Sequence, residues 1–421
     1  MPRGTKLRQW PRRFFSSLGP GLITGAADDD PSGIATYSIA GAQLGTSLLW
    51  TALLTWPLMA AVQMMCARIG MVRGEGLAAA LGRRIPKPFV VAATFALLVA
   101  NTINIAADLA GMADAAEMLT GLNSHACVVA FGVVITVATI HLPYGRIASV
   151  LKWLALALFA YVITAFRVGV DWGGVAGALV PSWPRSPAAW ATLVAILGTT
   201  ISPYLFYWQA SEEVEEEKEH GEKSLASRRG ATRRELVDRG LDVGVGTFFS
   251  NLVMFFIILT TAVTLHRHGV TNIETSRQAA EALRPLAGKF SATLFTLGVV
   301  GVGLLAIPTL AGSAAYAFAE TFGWKQGLDR KLAGARRFYF IVGISTAAGV
   351  ALDFAKISPL KALYWSAVVN GLLAPVLLVG VLLVASSRRL MAGQPSSRLA
   401  RAAVGAATLL MFGAAIGMFV F

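Results

Sequence analysis

Long apolar runs alternate with short polar segments along almost the whole chain. A helix needs about 20 mostly apolar residues to cross a bilayer, and about eleven runs reach that length. They predict spans near 18–42, 47–70, 88–118, 126–145, 150–168, 189–211, 243–265, 290–320, 336–354, 361–386 and 402–421. The pattern therefore predicts an all-α polytopic membrane protein whose residues 1–421 form a single transmembrane domain.

Charge interrupts the middle of the first predicted span. Asp28, Asp29 and Asp30 follow one another there, and Pro31 stands directly behind them. A carboxylate near the bilayer centre costs roughly 3 kcal/mol, and proline lacks the backbone donor that a continuing helix needs. Irregular backbone at membrane depth occurs only where it is buried in protein or lines a water-filled cavity. We therefore predict a broken helix beside an acidic cluster that binds a cation inside a transporter.

The sixth predicted span contains a second break, at Ser202 and Pro203. Two interrupted spans in corresponding positions of two halves indicate an inverted repeat with its site between the breaks. The repeats would cover residues 18–168 and 189–386, with 402–421 as an additional helix, which gives a 5+5 fold of the leucine-transporter type. The Asp30 carboxylate, the Ser202 hydroxyl and carbonyl oxygens freed near Asp30 and Thr199 are expected to converge on one ion. The alternative is that the aspartates only accept hydrogen bonds from backbone amides left free by the break.

The composition limits the function as well. Apolar residues make up 55% of the chain and charged residues 14%, with a mean hydropathy of +0.62, which excludes a soluble enzyme and a disordered protein. The net charge of +13 comes mostly from Lys and Arg in short loops, so it indicates topology rather than nucleic-acid binding. The loop bias predicts a multi-pass protein of the cell inner (plasma) membrane, with residues 1–17 in the cytoplasm and the C-terminus outside. No catalytic pair, nucleotide loop or cofactor motif is evident, so we expect no enzyme activity and no cofactor; the oligomeric state is not indicated.

The predicted loop 212–240 differs in character from the others. It is acidic first and basic later, and we predict a charged cytoplasmic loop that forms a solvated pair of helices with charge contacts between residues four apart. A regulatory metal sensor is the alternative. The hard carboxylates that would form it are Glu212, Glu213, Glu215, Glu216 and Glu217.

Short segments along nearly the whole chain resemble the Nramp family of divalent metal transporters. Residues 30–33, Asp-Pro-Ser-Gly, are similar to the family's Asp-Pro-Gly-Asn in the first span, and residues 202–204, Ser-Pro-Tyr, stand where the family has Met-Pro-His. Residues 108–110, Asp-Leu-Ala, and Asn251 also match. The resemblance implies the family's fold, and the departures resemble its divergent branch, the Nramp-related magnesium transporters.

Each departure changes what the resemblance implies for the site. Asp30 takes the role of the family's metal-binding aspartate, whereas Gly33 replaces the asparagine ligand and removes a side-chain oxygen. Ser202 replaces a methionine, and the loss of sulfur moves the preference toward a hard cation such as Mg²⁺, with Mn²⁺ as the next candidate. Tyr204 replaces the family's histidine and Gly111 its third-span glutamate, so tight proton coupling is not expected.

Other polar residues of the spans are assigned places around the ion. Candidates for lining the cation entry or a proton path are Asp28, Asp29, Asp108 and Tyr204. A bond to Asn101 or Asn104 would instead make Asp108 a structural residue. Asn251 and Asn370 are candidates for supporting the ligands from behind, and for Asn251 a purely structural contact between helices is the alternative.

The leading prediction is a carrier that moves divalent cations, chiefly Mg²⁺, across the bilayer by alternating access. Its partners would be the metal ion and the lipid. A proton-coupled Mn²⁺ or Fe²⁺ symporter of the usual Nramp type is the first alternative. An organic-solute carrier of the same fold is the second, although three aspartates would repel the carboxylate that such sites bind.

Overall fold

The computed structural model describes residues 25, 28–143, 154, 156–222, 224–328, 330–355 and 357–421. The predicted cytoplasmic segment 1–17 and the predicted start of the first span at residue 18 lie outside this part of the chain. The described residues form sixteen α-helices joined by turns and short 3-10 segments, with no β-strand among them.

In chain order the helices are α1 (Pro31–Leu44), α2 (Trp50–Arg73), α3 (Leu77–Gly82), α4 (Lys87–Thr120), α5 (Ser124–His141), α6 (Phe159–Arg167), α7 (Trp172–Ala178), α8 (Pro187–Thr200), α9 (Pro203–Glu219), α10 (Arg233–Thr264), α11 (Ser276–Ala280), α12 (Arg284–Ala287), α13 (Ser291–Phe322), α14 (Arg336–Asp353), α15 (Pro359–Ala385) and α16 (Arg398–Val420).

Eight helical segments of the described chain are long and apolar enough to cross a membrane, and the bent pair formed by Leu156–Arg167 and Trp172–Ala178 would make a ninth. The prediction of an all-α polytopic membrane protein is therefore confirmed. Two further predicted spans have helices at their positions. α1 is the described half of the first span, and α14 covers the span near 336–354.

Both predicted helix breaks are confirmed. Asp30 has extended backbone angles, φ −67° and ψ 169°, and α1 begins at the next residue, Pro31. In the sixth span α8 ends at Thr200, Ser202 is extended with φ −78° and ψ 132°, and α9 begins at Pro203. Proline suits the first position of a helix, where its missing N–H would have no partner. The two prolines therefore start new helices instead of kinking continuous ones.

α1 lies in the interior and packs against α4, α8, α10 and α15. Glycine permits very close approach at two of these contacts. A Cβ built on Gly41 of α1 would lie 2.0 Å from Thr261 Oγ1 of α10, and one on Gly198 of α8 would lie 2.1 Å from the Ala367 carbonyl oxygen of α15. No larger residue fits at either position without displacing a neighbouring helix, so the glycines fix how closely the broken spans are held.

The charged segment 212–240 contains the ends of two helices, as the sequence predicts, but some of its charged side chains are buried rather than solvated. α9 continues through the acidic half and α10 begins in the basic half, so only residues 220–232 connect the two helices. Arg239 and Glu213 are buried, and Arg239 Nε donates to Glu213 Oε2 at 2.9 Å. Arg239 Nη1 also donates to Asp242 Oδ2 at 2.7 Å. A buried guanidinium needs such partners, and this ion-pair network ties α9 to α10.

The alternative of a metal sensor in this segment receives no support. Within the described chain no three His, Cys, Asp or Glu side chains are arranged to hold a metal ion. Glu213 and Glu216 instead form ion pairs with Arg239.

Candidate metal site

Asp30 caps the first turn of α1. Its Oδ1 accepts hydrogen bonds from the Ser32 hydroxyl and from the Gly33 backbone amide, both at 2.7 Å. A carboxylate before a helix satisfies N–H groups that have no partner inside the helix. One oxygen of Asp30 therefore makes the hydrogen bond to a freed backbone amide that the alternative interpretation expects. The other oxygen faces a different helix.

The second oxygen of Asp30 faces α4. Asn104 Nδ2 donates to Asp30 Oδ2 at 3.0 Å and to Asp108 Oδ2 at 3.1 Å. Asn104 and Asp108 are four residues apart and so share one face of α4. Asn104 Oδ1 in turn accepts from Asn370 Nδ2 of α15 at 3.2 Å. One amide side chain thus joins the carboxylates of the first and third spans, and Asn370 reaches this cluster from the tenth.

Asp28 and Asp29 are held by α10. Ser250 Oγ lies 2.7 Å from Asp28 Oδ2 and 3.1 Å from Asp29 Oδ1, so its single hydroxyl proton serves two carboxylates. Both aspartates are buried. Their predicted part in a cation entry stays a prediction, since they are closed from solvent in this conformation.

The break in the sixth span lies beside the break in the first. A Cβ built on Gly33 would be 3.1 Å from Thr199 Oγ1, so the last turn of α8 faces the first turn of α1. Ser202 Oγ donates to the carbonyl oxygens of Gly198 and Thr199, at 2.9 Å and 2.8 Å. The Thr199 carbonyl oxygen therefore accepts one hydrogen bond from the serine hydroxyl, and a part in binding the ion stays a prediction.

Four carboxylates are buried in this region without a cationic partner in the described part of the chain. The exposed fractions of the Asp28, Asp29, Asp30 and Asp108 side chains are 0%, 6%, 2% and 0%. None of them forms an ion pair within the described chain. Asp28 Oδ1 and Asp108 Oδ1 also have no hydrogen-bond partner among the described residues. Burial of unpaired carboxylates is costly unless a proton or a cation compensates the charge.

Carboxylates alone do not complete a cation site here. No three acidic, imidazole or thiol side chains of the described residues converge closely enough to hold a metal by themselves. A cation beside Asp30 would therefore also take hydroxyl, amide, backbone or water oxygens, which hard cations accept.

Tyr204 and Asn251 have different surroundings. Tyr204 is buried in the first turn of α9, directly behind the break. Asn251 faces α2, where its Oδ1 accepts from Thr55 Oγ1 at 2.6 Å, and its Nδ2 donates to the Thr247 carbonyl oxygen at 2.9 Å. Among the described residues Asn251 therefore makes a contact between helices, and the neighbouring Ser250 bonds to the first span.

The sequence interpretation misses Ser32 and Ser250 as partners of the aspartates, and it treats Asn104 only as a neighbour of Asp108. The bond of Asn104 to Asp108 follows from their spacing of four residues, and the bond of Ser32 is a local contact in the cap. Ser250 carries no such signal, because it meets Asp28 only through the packing of α10 against the first span.

Comparisons with known proteins agree with this architecture. The family described as Nramp, natural resistance-associated macrophage protein-like, matches residues 21–421. The divalent metal cation transporter MntH of Yersinia enterocolitica is 29% identical over 307 residues, covering 71% of this chain and 71% of that protein. MntH of Erwinia tasmaniensis is 29% identical over 310 residues, with the same coverage of 71% and 71%.

A solved structure has the same fold. The crystal structure of a mutant of the Eremococcus coleocola manganese transporter matches with a TM-score of 0.74 and 16% identity, covering 98% of this chain and 87% of that one. The family match extends through both broken spans, the acidic cluster between them and the last helix. The chain therefore belongs to the Nramp family.

Proposed function

We propose that this protein is a carrier that moves divalent metal cations across the cell membrane by alternating access. Its family consists of transporters rather than enzymes, and relatives named as divalent metal cation and manganese transporters support the class of cargo. The observation that carries the proposal is the group of four buried carboxylates without a cationic side chain opposite them in the described chain. A divalent cation would supply that missing charge.

Asp30 is the central ligand in this proposal. It lies where the two broken spans meet, with Gly33 and Thr199 facing each other beside it. Ser202 lies in the break between α8 and α9, and Asp108 lies on α4. Asn104 connects Asp30 to Asp108. Because Asp30 is only 2% exposed, the described conformation is closed, and movement of the half-helices of the repeats 18–168 and 189–386 would open it to one side at a time.

We favour Mg²⁺ as the preferred cargo. The positions assigned to the site offer carboxylate and hydroxyl oxygens and no sulfur, and such ligands suit Mg²⁺ and Mn²⁺ better than softer metals. Mg²⁺ usually keeps several waters and binds through one or two carboxylates. Gly33 offers no side-chain ligand and Ser202 only one hydroxyl, so a bound Mg²⁺ would keep some of its waters.

Proton-coupled uptake of Mn²⁺ or Fe²⁺ is the second candidate. A relative of the same fold is a manganese transporter, which supports Mn²⁺ as the cargo. Asp28 and Asp108 each carry an oxygen without a partner in the described structure, where a proton could reside. Tyr204 and Gly111 replace the family's histidine and glutamate, and both changes disfavour tight coupling of metal transport to proton transport.

Metal uptake by the purified protein in liposomes tests both candidates. We expect Mg²⁺ and Mn²⁺ to enter, Ca²⁺ to enter less, and Asp30→Asn to reduce uptake to background, because the substitution removes the ligand charge. Asp238→Asn is the matched control, since Asp238 is 53% exposed and lies on the charged segment. Unchanged uptake in Asp30→Asn would overturn the site. Acidification of the lumen in step with metal entry would favour the proton-coupled candidate.

The proposal also includes the orientation of the protein in the membrane. The bias of Lys and Arg toward alternate loops supports a plasma-membrane protein with a cytoplasmic N-terminus and an external C-terminus. Inward transport then runs toward the side on which the charged 220–232 connection lies.

A further inference from the structure

A large cavity lies at one end of the helical bundle, away from the acidic cluster. Its volume is about 1180 Å³. It opens between the end of α2, the turn between α3 and α4, the last turns of α15 and the segment that follows them. Its arginines are Arg73, Arg83, Arg84, Arg229 and Arg389, and its apolar wall contains Val379, Leu382 and Leu383.

Two of the arginines are already paired. Arg73 Nε donates to Glu75 Oε1 at 2.8 Å, and Arg83 binds both oxygens of the same carboxylate, each at 2.8 Å. Burial raises the pKa of Glu75, but the hydrogen bonds from Arg83 and Arg73 outweigh it and hold the pKa below its usual value. Glu75 is therefore ionised at neutral pH and offsets one of the positive charges.

Three arginines remain without an anionic partner among the residues that the structure describes. Arg84, Arg229 and Arg389 are exposed, and none of them makes an ion pair with a residue in the described part of the chain. They come from three separate segments, yet they line the same cavity. Guanidinium groups bind phosphate through paired, charge-assisted hydrogen bonds. The polar side of the cavity is therefore complementary to a phosphate group.

The opposite wall of the cavity has a different chemistry. Val379 and Leu383 belong to α15, a membrane-spanning helix, and each is 42% exposed. Val376 continues this exposed apolar surface along the helix and is 58% exposed. A free phosphate ion or a nucleotide would gain nothing from such a wall, whereas an acyl chain would lie along it. Cationic and apolar linings meet in one cavity, as the headgroup and tail of a lipid require.

The charge bias assigns this end of the molecule to the cytoplasm. Arg83 and Arg84 follow the second predicted span, and Arg389 follows the tenth. The cytoplasmic leaflet is the one into which basic pockets between spans bind anionic headgroups.

We propose that this cavity binds the headgroup of an anionic phospholipid of the cytoplasmic leaflet, with the phosphate at Arg84, Arg229 and Arg389 and an acyl chain along α15. The bound lipid would join the end of α2 to the end of α15. The proposal is independent of the identity of the transported metal.

Lipid retention by the purified protein tests it. The parent and the triple variant Arg84→Gln/Arg229→Gln/Arg389→Gln are incubated with equal amounts of phosphatidylglycerol and phosphatidylcholine, and the lipid bound per protein is measured by native mass spectrometry. We expect the parent to retain phosphatidylglycerol selectively and the triple variant to bind it roughly 100-fold more weakly, because each of the three basic residues near the headgroup contributes roughly a fivefold change in affinity. Retention of phosphatidylcholine should be low in both.

A matched variant distinguishes lipid binding at this cavity from a general attraction of anionic lipid to the positive charge of the protein. Arg185→Gln/Arg267→Gln/Arg277→Gln removes three exposed arginines elsewhere and should retain as much phosphatidylglycerol as the parent. Inorganic phosphate is the third arm, and it should not displace the lipid at concentrations equal to that of the lipid. Equal retention by the parent and the cavity variant, equal loss in both triple variants, or displacement by inorganic phosphate would overturn the proposal. Metal uptake in phosphatidylcholine liposomes establishes that the cavity variant is folded.

Discussion

At the scale of single residues, Asn104 is the side chain that connects the candidate site. Its one amide group donates to carboxylates on two helices and its oxygen accepts from a third. The partners of metal ligands commonly influence affinity almost as strongly as the ligands do. Asn104 should therefore affect both the stability of the protein and its response to metal.

We expect Asn104→Leu to weaken metal binding by roughly 10–100-fold. The substitution leaves Asp30 and Asp108 without their shared donor, so they no longer hold the arrangement that the cation meets. The measurement is the rise in melting temperature that Mg²⁺ or Mn²⁺ produces. Asn101→Leu is the control, because Asn101 is equally buried on α4 but donates to the Leu310 carbonyl oxygen and to Ser313. If both variants respond to metal alike, Asn104 acts only in packing.

Ser202→Met should shift selectivity from Mg²⁺ toward Mn²⁺ and Cd²⁺, because a thioether is a softer ligand than a hydroxyl. Competition between these ions in liposome uptake measures the shift. Ser202→Val adds volume without sulfur and should lower uptake of all of them without the same change in order. An identical order of ions in the parent and Ser202→Met would mean that this side chain does not face the cargo.

At the scale of helices, the breaks were predictable and the contacts between helices were not. Pro31 and Pro203 lack a backbone N–H and therefore suit only the first turn of a helix, so the break before each of them can be predicted from the local sequence. Ser250 and Asp28 are 222 positions apart, and the burial of Arg239 depends on which helices pack together. A segment rich in charged residues is usually exposed to solvent. Its sequence therefore does not predict that one guanidinium is buried among carboxylates.

Gly198 provides a test of how closely α8 must approach α15. Gly198→Ala should destabilise the protein by roughly 1–3 kcal/mol, since the new methyl group would lie 2.1 Å from the Ala367 carbonyl oxygen. Gly343→Ala in α14 is the control, as no atom lies within 4 Å of a Cβ there, and it should be neutral or stabilising. Thermal unfolding in detergent measures both. Equal melting temperatures would show that α8 and α15 can separate without cost.

At the scale of the whole molecule, hydropathy was sufficient to predict an all-α membrane protein. Spans of about 20 apolar residues have few alternatives in a bilayer, so the class of fold follows from the sequence. The arrangement of the spans around the acidic cluster does not follow from hydropathy, because the contacts of Asp28, Asp29 and Asp30 come from three different helices.

Labelling with a membrane-impermeant thiol reagent tests the proposed orientation. The two native cysteines, Cys66 and Cys127, are buried, so the parent should give little background. In intact cells we expect Leu122→Cys and Phe421→Cys, at positions 61% and 64% exposed, to be labelled. Ser224→Cys should react only after the membrane is opened. The reverse pattern would invert the topology.

The hydrogen bonds of Ser250 and Asn104 have a consequence for the empty carrier. When cargo leaves, these hydroxyl and amide donors still face the acidic groups, so departure of the ion does not leave every anionic oxygen bare. These donors are neutral, however, and they do not cancel the charge of four buried carboxylates. The empty carrier should therefore return more slowly than the loaded one unless protons take the place of the cargo.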